Sequence, residues 1–240
     1  MISTKGNTVK HDYLLKSLKS YISIDQEKYR ALEPNLLKIN SLFDDGILKK
    51  ELYKNFTEDF SDISFFLQVL RGEYTKKFGF FLISEDFLSV TSNFLKNKKV
   101  LEVGAGTGFL SYCLQNNGIN VTPIDFKIKK NLYGFEKTYT NILEEEAVKH
   151  LKKNNNYDTI IMSWPNYQTK FAQNVLSNMN IGQTLIYIGE GYGGCTADDN
   201  FFDLLAEKCE IQTAITDDIQ KNSYSWPCIH DKVEVYTIKK

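Results

Sequence analysis

The sequence predicts an α/β protein: a doubly wound, mostly parallel sheet of seven strands, with a helical segment ahead of it. Three observations predict it. Residues Val100 to Gly108 read Val-Leu-Glu-Val-Gly-Ala-Gly-Thr-Gly, an apolar strand entering a glycine loop, and the apolar-periodic run Phe109 to Leu114 follows as a helix. From about Phe87 strand-like and helix-like segments alternate, and the strands are near-continuous apolar runs, as in a parallel sheet covered on both faces. Polar and glycine residues recur at the carboxyl ends of successive strands, where a doubly wound sheet gathers them at one rim.

Taken in order, residues 1–73 read as a helical N-terminal cap. Tyr13, Leu14, Leu18 and Tyr21 share one face; Leu48, Leu52 and Phe56 form a second stripe; Phe65, Phe66, Leu67, Val69 and Leu70 form an apolar patch. The cap either packs on the core or serves as a lid or substrate platform. Gly72 to Phe81 is the joint to a core domain of residues 74–240. A helix over Phe87 to Leu95 precedes the first strand, Val100 to Val103. The helix Phe109 to Asn116 leads to a second strand, Asn120 to Ile124. A short strand near Thr138 to Thr140 precedes a helix from Leu143 to Leu151. The strand Thr159 to Met162 precedes a helix from Thr169 to Leu176. The strand Thr184 to Ile188 precedes a helix from Asn200 to Cys209. Strands near Ile211 to Ile215 and Val233 to Ile238, joined by a loop, end the chain.

Glycines at 104, 106 and 108 let the backbone turn sharply and let a ligand approach where a Cβ would clash. The N–H groups opening the next helix face that ligand. A tight structural turn between strand and helix fits the same residues. Asp125, 17 residues past Gly108, stands at the tip of the second strand, where a carboxylate accepts both hydroxyls of a ribose. Alone it is equally a loop acid; with the glycine loop it favours nucleoside binding. The third glycine falls one residue short of the GxGxxG dinucleotide pattern, which disfavours a nicotinamide-dependent dehydrogenase.

Leu101 to Gly108 together with Asp125 resembles the first two motifs of the class I S-adenosylmethionine-dependent methyltransferases. Tyr157 to Pro165 is similar to their fourth motif, a strand ending in a polar-aromatic-proline loop. More narrowly, Phe78-Gly79-Phe80, Ser163-Trp164-Pro165, Tyr187 to Asp198 and Ile229-His230-Asp231 resemble a little-characterised bacterial, fungal and viral family of that class. The resemblance covers about Tyr74 to Tyr236. It implies a Rossmann-like methyltransferase fold with an antiparallel final hairpin, and S-adenosylmethionine as cofactor. The cofactor-binding residues would be Glu102, Gly104, Ala105, Gly106, Thr107, Gly108 and Asp125, with Asn141 and Ile142 at the adenine. Asn141 fits equally as a helix N-cap.

Ser163, Trp164, Glu190, His230 and Asp231 are the candidates for the acceptor side. Ser163-Trp164-Pro165-Asn166-Tyr167 resembles the loop with which amino-group methyltransferases hold an amine, except that tryptophan stands in the first proline position. Acceptance by an amine or other nitrogen is the direction it implies; Trp164 also fits as a core-edge aromatic. Glu190 lies in a loop with Gly189, Gly191, Gly193 and Gly194, a strand-end carboxylate without a capping task. Thr196 or Asp198 caps the helix that follows. Cys195 reads as a small buried thiol. His230 with Asp231 fits either a general base oriented by its neighbour or a loop pair closing the final hairpin. His11 and His150 read as surface residues.

With 240 residues, 42% of them hydrophobic, one ordinary domain and an added segment fit the chain. A net charge of −1 gives no strong nucleic-acid or membrane signal. Cys113, Cys195, Cys209 and Cys228 lack zinc or disulfide spacing, no metal site is expected, and a reducing, cytoplasmic compartment is. No signal peptide or membrane span is read. The function implied is methyl transfer to an unidentified acceptor. The alternative is a non-catalytic nucleoside-binding or interaction protein retaining the fold.

Overall fold

Strands form where the apolar residues run without interruption. The computed structural model describes residue 42 and residues 44–50, 64–126, 133–135 and 137–240. The readings on His11, Tyr13, Leu14, Leu18, Tyr21, Leu52 and Phe56, and on the side chains of Phe65, Phe66, Leu67 and Val69, fall outside them. Along the described chain the helices are α1 (Ser64–Phe78), α2 (Glu85–Leu95), α3 (Phe109–Asn116), α4 (Ala147–Lys153), α5 (Phe171–Ser177), α6 (Asp199–Lys208) and α7 (Thr213–Lys221). The strands are β1 (Lys99–Val103), β2 (Asn120–Asp125), β3 (Leu143–Glu144), β4 (Thr159–Ser163), β5 (Thr184–Gly189), β6 (Cys209–Ile211) and β7 (Lys232–Ile238).

The sheet order is β3-β2-β1-β4-β5-β7-β6. All neighbours from β3 to β5 are parallel, and β7 runs antiparallel to both β5 and β6. This is a seven-stranded, doubly wound, Rossmann-like sheet whose last two strands form an antiparallel pair. Successive residues of a strand point to opposite faces, so one strand feeds two cores. Leu101 and Val103, Ile160 and Met162, and Leu185 and Tyr187 pack on one face with α4, α5 and α6. Val100, Ile161, Ile186 and Ile188 pack on the other with α1, α2, α3 and Ile219 of α7. The whole of β5 is buried, as a central strand of a doubly covered sheet must be.

Local chemistry sets the helix ends. The Ser84 hydroxyl accepts from the Phe87 N–H at the start of α2, and Asp198 accepts from the Phe201 N–H at the start of α6, the capping role read from the sequence. Glu146, not Asn141, caps α4 by accepting from the Val148 and Lys149 N–H groups.

Four local readings are corrected. Thr138 to Thr140 is not a strand; the third strand is Leu143–Glu144, paired to Ile124 and Asp125, and α4 starts only at Ala147. The last two strands are joined by a helix, α7, because Thr216 and Ile219, one turn apart, both dock on β7; Thr216 Oγ1 accepts from the Val235 N–H at 3.0 Å. Gly72 lies inside α1, and the connection to α2 is confined to Gly79 to Ser84. Leu48 is not on a helical stripe: it bridges Ser84 in parallel, its N–H donating to the Ile83 carbonyl at 2.7 Å.

Candidate functional site

The strand order reverses between β1 and β4, since the chain proceeds from β1 outward to β3 and then returns to the far side. A ligand crevice belongs beyond the carboxyl ends of the strands at such a point. There the structure has a cavity of about 630 Å³, within the size range of small-molecule sites. Its lining brings together the ends of β1 (Gly104 to Thr107), β2 (Asp125) and β4 (Ser163 to Asn166).

The glycine loop is built for close approach. Gly104, Gly106 and Gly108 have φ of +68°, +56° and +69°, a region that side-chain-bearing residues rarely adopt. A Cβ on Gly106 would stand 3.1 Å from Phe135 Cε2, so the bare backbone forms part of the cavity wall. Thr107 anchors the loop: its hydroxyl donates to the Phe78 carbonyl at 2.6 Å and accepts from the Phe109 N–H at 3.2 Å. That bond ties the loop to Phe78-Gly79-Phe80 and brings Phe80 to the cavity.

Two carboxylates stand below the loop. Asp125 Oδ2 accepts from the Gly106 N–H at 2.7 Å. Burial raises the Asp125 pKa, against the lowering effect of the Gly106 and Phe126 N–H groups. Glu102 is 3% exposed. It accepts from the Ser111 N–H at 3.1 Å and, through the same oxygen, from the Ser111 hydroxyl. Burial pushes its pKa up to about 7, against those two bonds.

The opposite end of the cavity is aromatic. Trp164, with a φ of +49°, follows β4 and stacks on Phe80 at 5.4 Å between ring centroids. A bulky residue in the left-handed region costs on the order of 1–3 kcal/mol. Trp164 is held there by its N–H, which donates to the Ile188 carbonyl at 2.7 Å, and by its indole Nε1, which donates to Asp231 Oδ2 at 3.2 Å. Tyr133 donates to Asn166 Oδ1 at 2.6 Å across the same end.

The sequence candidates divide. Glu102, Gly104, Ala105, Gly106, Thr107, Asp125, Ser163 and Trp164 all line the cavity. Gly108 lies just behind it, under Ile142: a Cβ there would come within 2.9 Å of Ile142 Cδ1. Asn141 and Ile142 are outside the lining, because the third strand begins after them; they are not positioned at the end of a strand.

Glu190 is also outside the lining and does have a structural task. Its Oε2 accepts from the Cys195 N–H at 2.7 Å and its Oε1 from the His230 N–H at 3.1 Å, so it clasps two loops together. Burial pushes its pKa up, but these bonds outweigh burial and leave it below the usual carboxylate range. His230 is exposed, and Asp231, 4% exposed, gives its carboxylate to Trp164 rather than to the neighbouring imidazole. The oriented His–Asp base is therefore not formed. Cys195 is exposed, not buried. His150 is buried, not at the surface, bridging Glu145 Oε2 and the Tyr157 hydroxyl at 2.8 and 2.9 Å.

Sequence reasoning missed Phe80, Phe135 and Tyr133, which supply much of the aromatic wall. In the sequence Phe80 stands out only within Phe78-Gly79-Phe80. Its neighbour Gly79, with a φ of +121°, is the local signal for the turn that presents it.

Among the described residues, no helix is long and apolar enough to cross a membrane. No family model and no curated protein sequence matches the chain. Among solved structures, it is similar to a TehB-like SAM-dependent methyltransferase from Corynebacterium glutamicum, at 13% identity over 64% of this chain and 88% of that one, TM-score 0.44. It is similar to the CcbJ methyltransferase from Streptomyces caelestis, at 11% identity over 65% and 89% of the two chains, TM-score 0.42. It is also similar to a SAM-dependent methyltransferase from Archaeoglobus fulgidus, at 13% identity over 64% and 91%, TM-score 0.41.

Proposed function

We propose that the cavity binds S-adenosylmethionine and that the protein transfers its methyl group to a nitrogen of an acceptor lying beside Ser163 and Trp164. One observation carries this reading. A cradle of glycines at positive φ and a strand-tip carboxylate bonded to it line one cavity with the polar-aromatic-proline loop of β4. The cradle fits the group, because a Cβ at Gly106 would stand in the space against Phe135.

In this reading the Gly104 to Thr107 backbone holds the methionine part, and Asp125 holds the ribose with the carboxylate lone pairs that Gly106 leaves over. Bound there, the cofactor supplies a methyl group activated by a sulfonium. The rest falls to positioning and exclusion of water. Phe80, Phe135 and Trp164 close the site with apolar surface. Ser163 offers a hydroxyl at the end of β4. Asp231 acts through Trp164, fixing the plane of the indole, and is a positioning residue rather than a base.

The test is transfer of an isotopically labelled methyl group from S-adenosylmethionine to fractions of a cell extract. The expected product keeps its label in mild base, as an N-methyl group does. The Trp164→Ala protein should transfer far less while binding the cofactor within a few fold. Label released as methanol in base contradicts transfer to nitrogen, and no transfer to any fraction contradicts the enzymatic reading.

A further inference from the structure

Arg71 takes no part in the site described so far. It sits on α1 with its guanidinium carbon 5.1 Å from the Trp164 ring centroid and 6.0 Å from that of Phe80. Both rings line the cavity. Its Nε is shut off from solvent and makes no hydrogen bond. Among the described residues no carboxylate forms an ion pair with it.

A guanidinium carries five N–H donors and does not give up its charge. Half-burying one without a counter-ion costs free energy. The carboxylates whose charge reaches it, Asp231 and Glu190, form no ion pair with it. Glu190 spends both oxygens on backbone N–H groups, and Asp231 spends Oδ2 on Trp164. Asp231 Oδ1 is itself buried and unbonded, so these two complementary groups stand near one another without pairing. Burial lowers the Arg71 pKa, against the supporting charges of Asp231 and Glu190.

The location is informative. β1 lies between β2 and β4, so Asp125 and the Trp164 end of the cavity are two strand spacings apart, about 10 Å. Arg71 is thus at the acceptor end, away from the ribose carboxylate. An arginine stacked on aromatic rings presents a planar fork, which matches carboxylate and phosphate oxygens in pairs.

We propose that Arg71 is an anion-binding residue of the acceptor site, and that the acceptor is a small organic molecule carrying a carboxylate or a phosphate. The proposal rests on the methyl-transfer reading of the cavity and names the substrate class it serves.

The test titrates the full chain with benzoate, phenyl phosphate and benzyl alcohol by calorimetry, alone and with S-adenosylhomocysteine bound. At least one anion should bind about tenfold or more tighter than the alcohol, and which one does so separates carboxylate from phosphate. Arg71→Gln should abolish that preference, a loss of about tenfold to a hundredfold. Arg71→Lys, which keeps the charge and loses the fork, should retain part of it. Both variants should keep the parent's affinity for S-adenosylhomocysteine, which shows an intact fold. Anions that bind no tighter than the alcohol overturn the proposal. So does a preference that survives Arg71→Gln, or a variant that loses S-adenosylhomocysteine as well. An intact anion preference in a protein that never binds S-adenosylhomocysteine supports the Arg71 site and contradicts the methyl-transfer reading instead.

Discussion

The carboxylate of Asp125 accepts a 2.7 Å hydrogen bond from the backbone N–H of Gly106. The end of β2 and the glycine loop after β1 are therefore one unit, and the acid that would hold a ribose also shapes the loop that would hold the rest of the ligand.

Asp125→Ala removes both contributions. Cofactor affinity should fall by about 1.5–3 kcal/mol, the range for hydrogen bonds to a charged group, or roughly tenfold to 150-fold. Asp125→Asn keeps an acceptor for Gly106 and should lose less. Calorimetry with S-adenosylhomocysteine measures both; equal affinities in parent and folded Asp125→Ala protein would remove Asp125 from the site.

Glu102 makes stability depend on pH. Its folded pKa, raised by burial to about 7 from an ordinary 4.5, means that the folded state holds a proton the unfolded state has released. Between those values stability falls as pH rises, by an amount on the order of 3 kcal/mol, and it is flat with respect to this group above pH 7. Glu102→Gln mimics the protonated form and still accepts from Ser111. Denaturant titrations should find it more stable than the parent at pH 8, with the gap closing towards pH 5. A gap that is absent at pH 8, or that widens on acidification, contradicts the assignment.

The Trp164–Asp231 bond should show as coupling. Trp164→Phe keeps a ring against Phe80 but leaves the buried Asp231 carboxylate without its donor, at a cost of about 1–3 kcal/mol. In an Asp231→Ala background the same substitution should cost distinctly less. Equal costs in the two backgrounds, measured by chemical denaturation, would mean that the bond does not hold the indole.

The parallel sheet and its glycine loop were legible because each is written locally: an apolar run, then glycines at alternate positions. β3 was not legible. It is two exposed residues long, fixed only by pairing to Ile124 and Asp125, and carries no apolar signature. The helix α7 was hidden because a short β-branched run fits strand and helix alike until Thr216 and Ile219 are seen docked on β7. In the candidate site, the glycine-loop half follows from one contiguous motif and the acid after it. The Trp164 half is assembled from distant segments, with Phe80 stacked on Trp164 and Glu190 bonded to Cys195 and His230. Spacing says nothing about such contacts. Glu190 accordingly looked available for substrate when its oxygens are taken by the backbone.

The most direct measurement is calorimetric titration of the protein with S-adenosylmethionine, S-adenosylhomocysteine and NAD under one set of conditions. Saturable binding of the first two and none of NAD is expected. At 100 times the dissociation constant, bound ligand should stabilise the fold by about 2.7 kcal/mol. Binding of NAD with no heat from either adenosyl compound would contradict it.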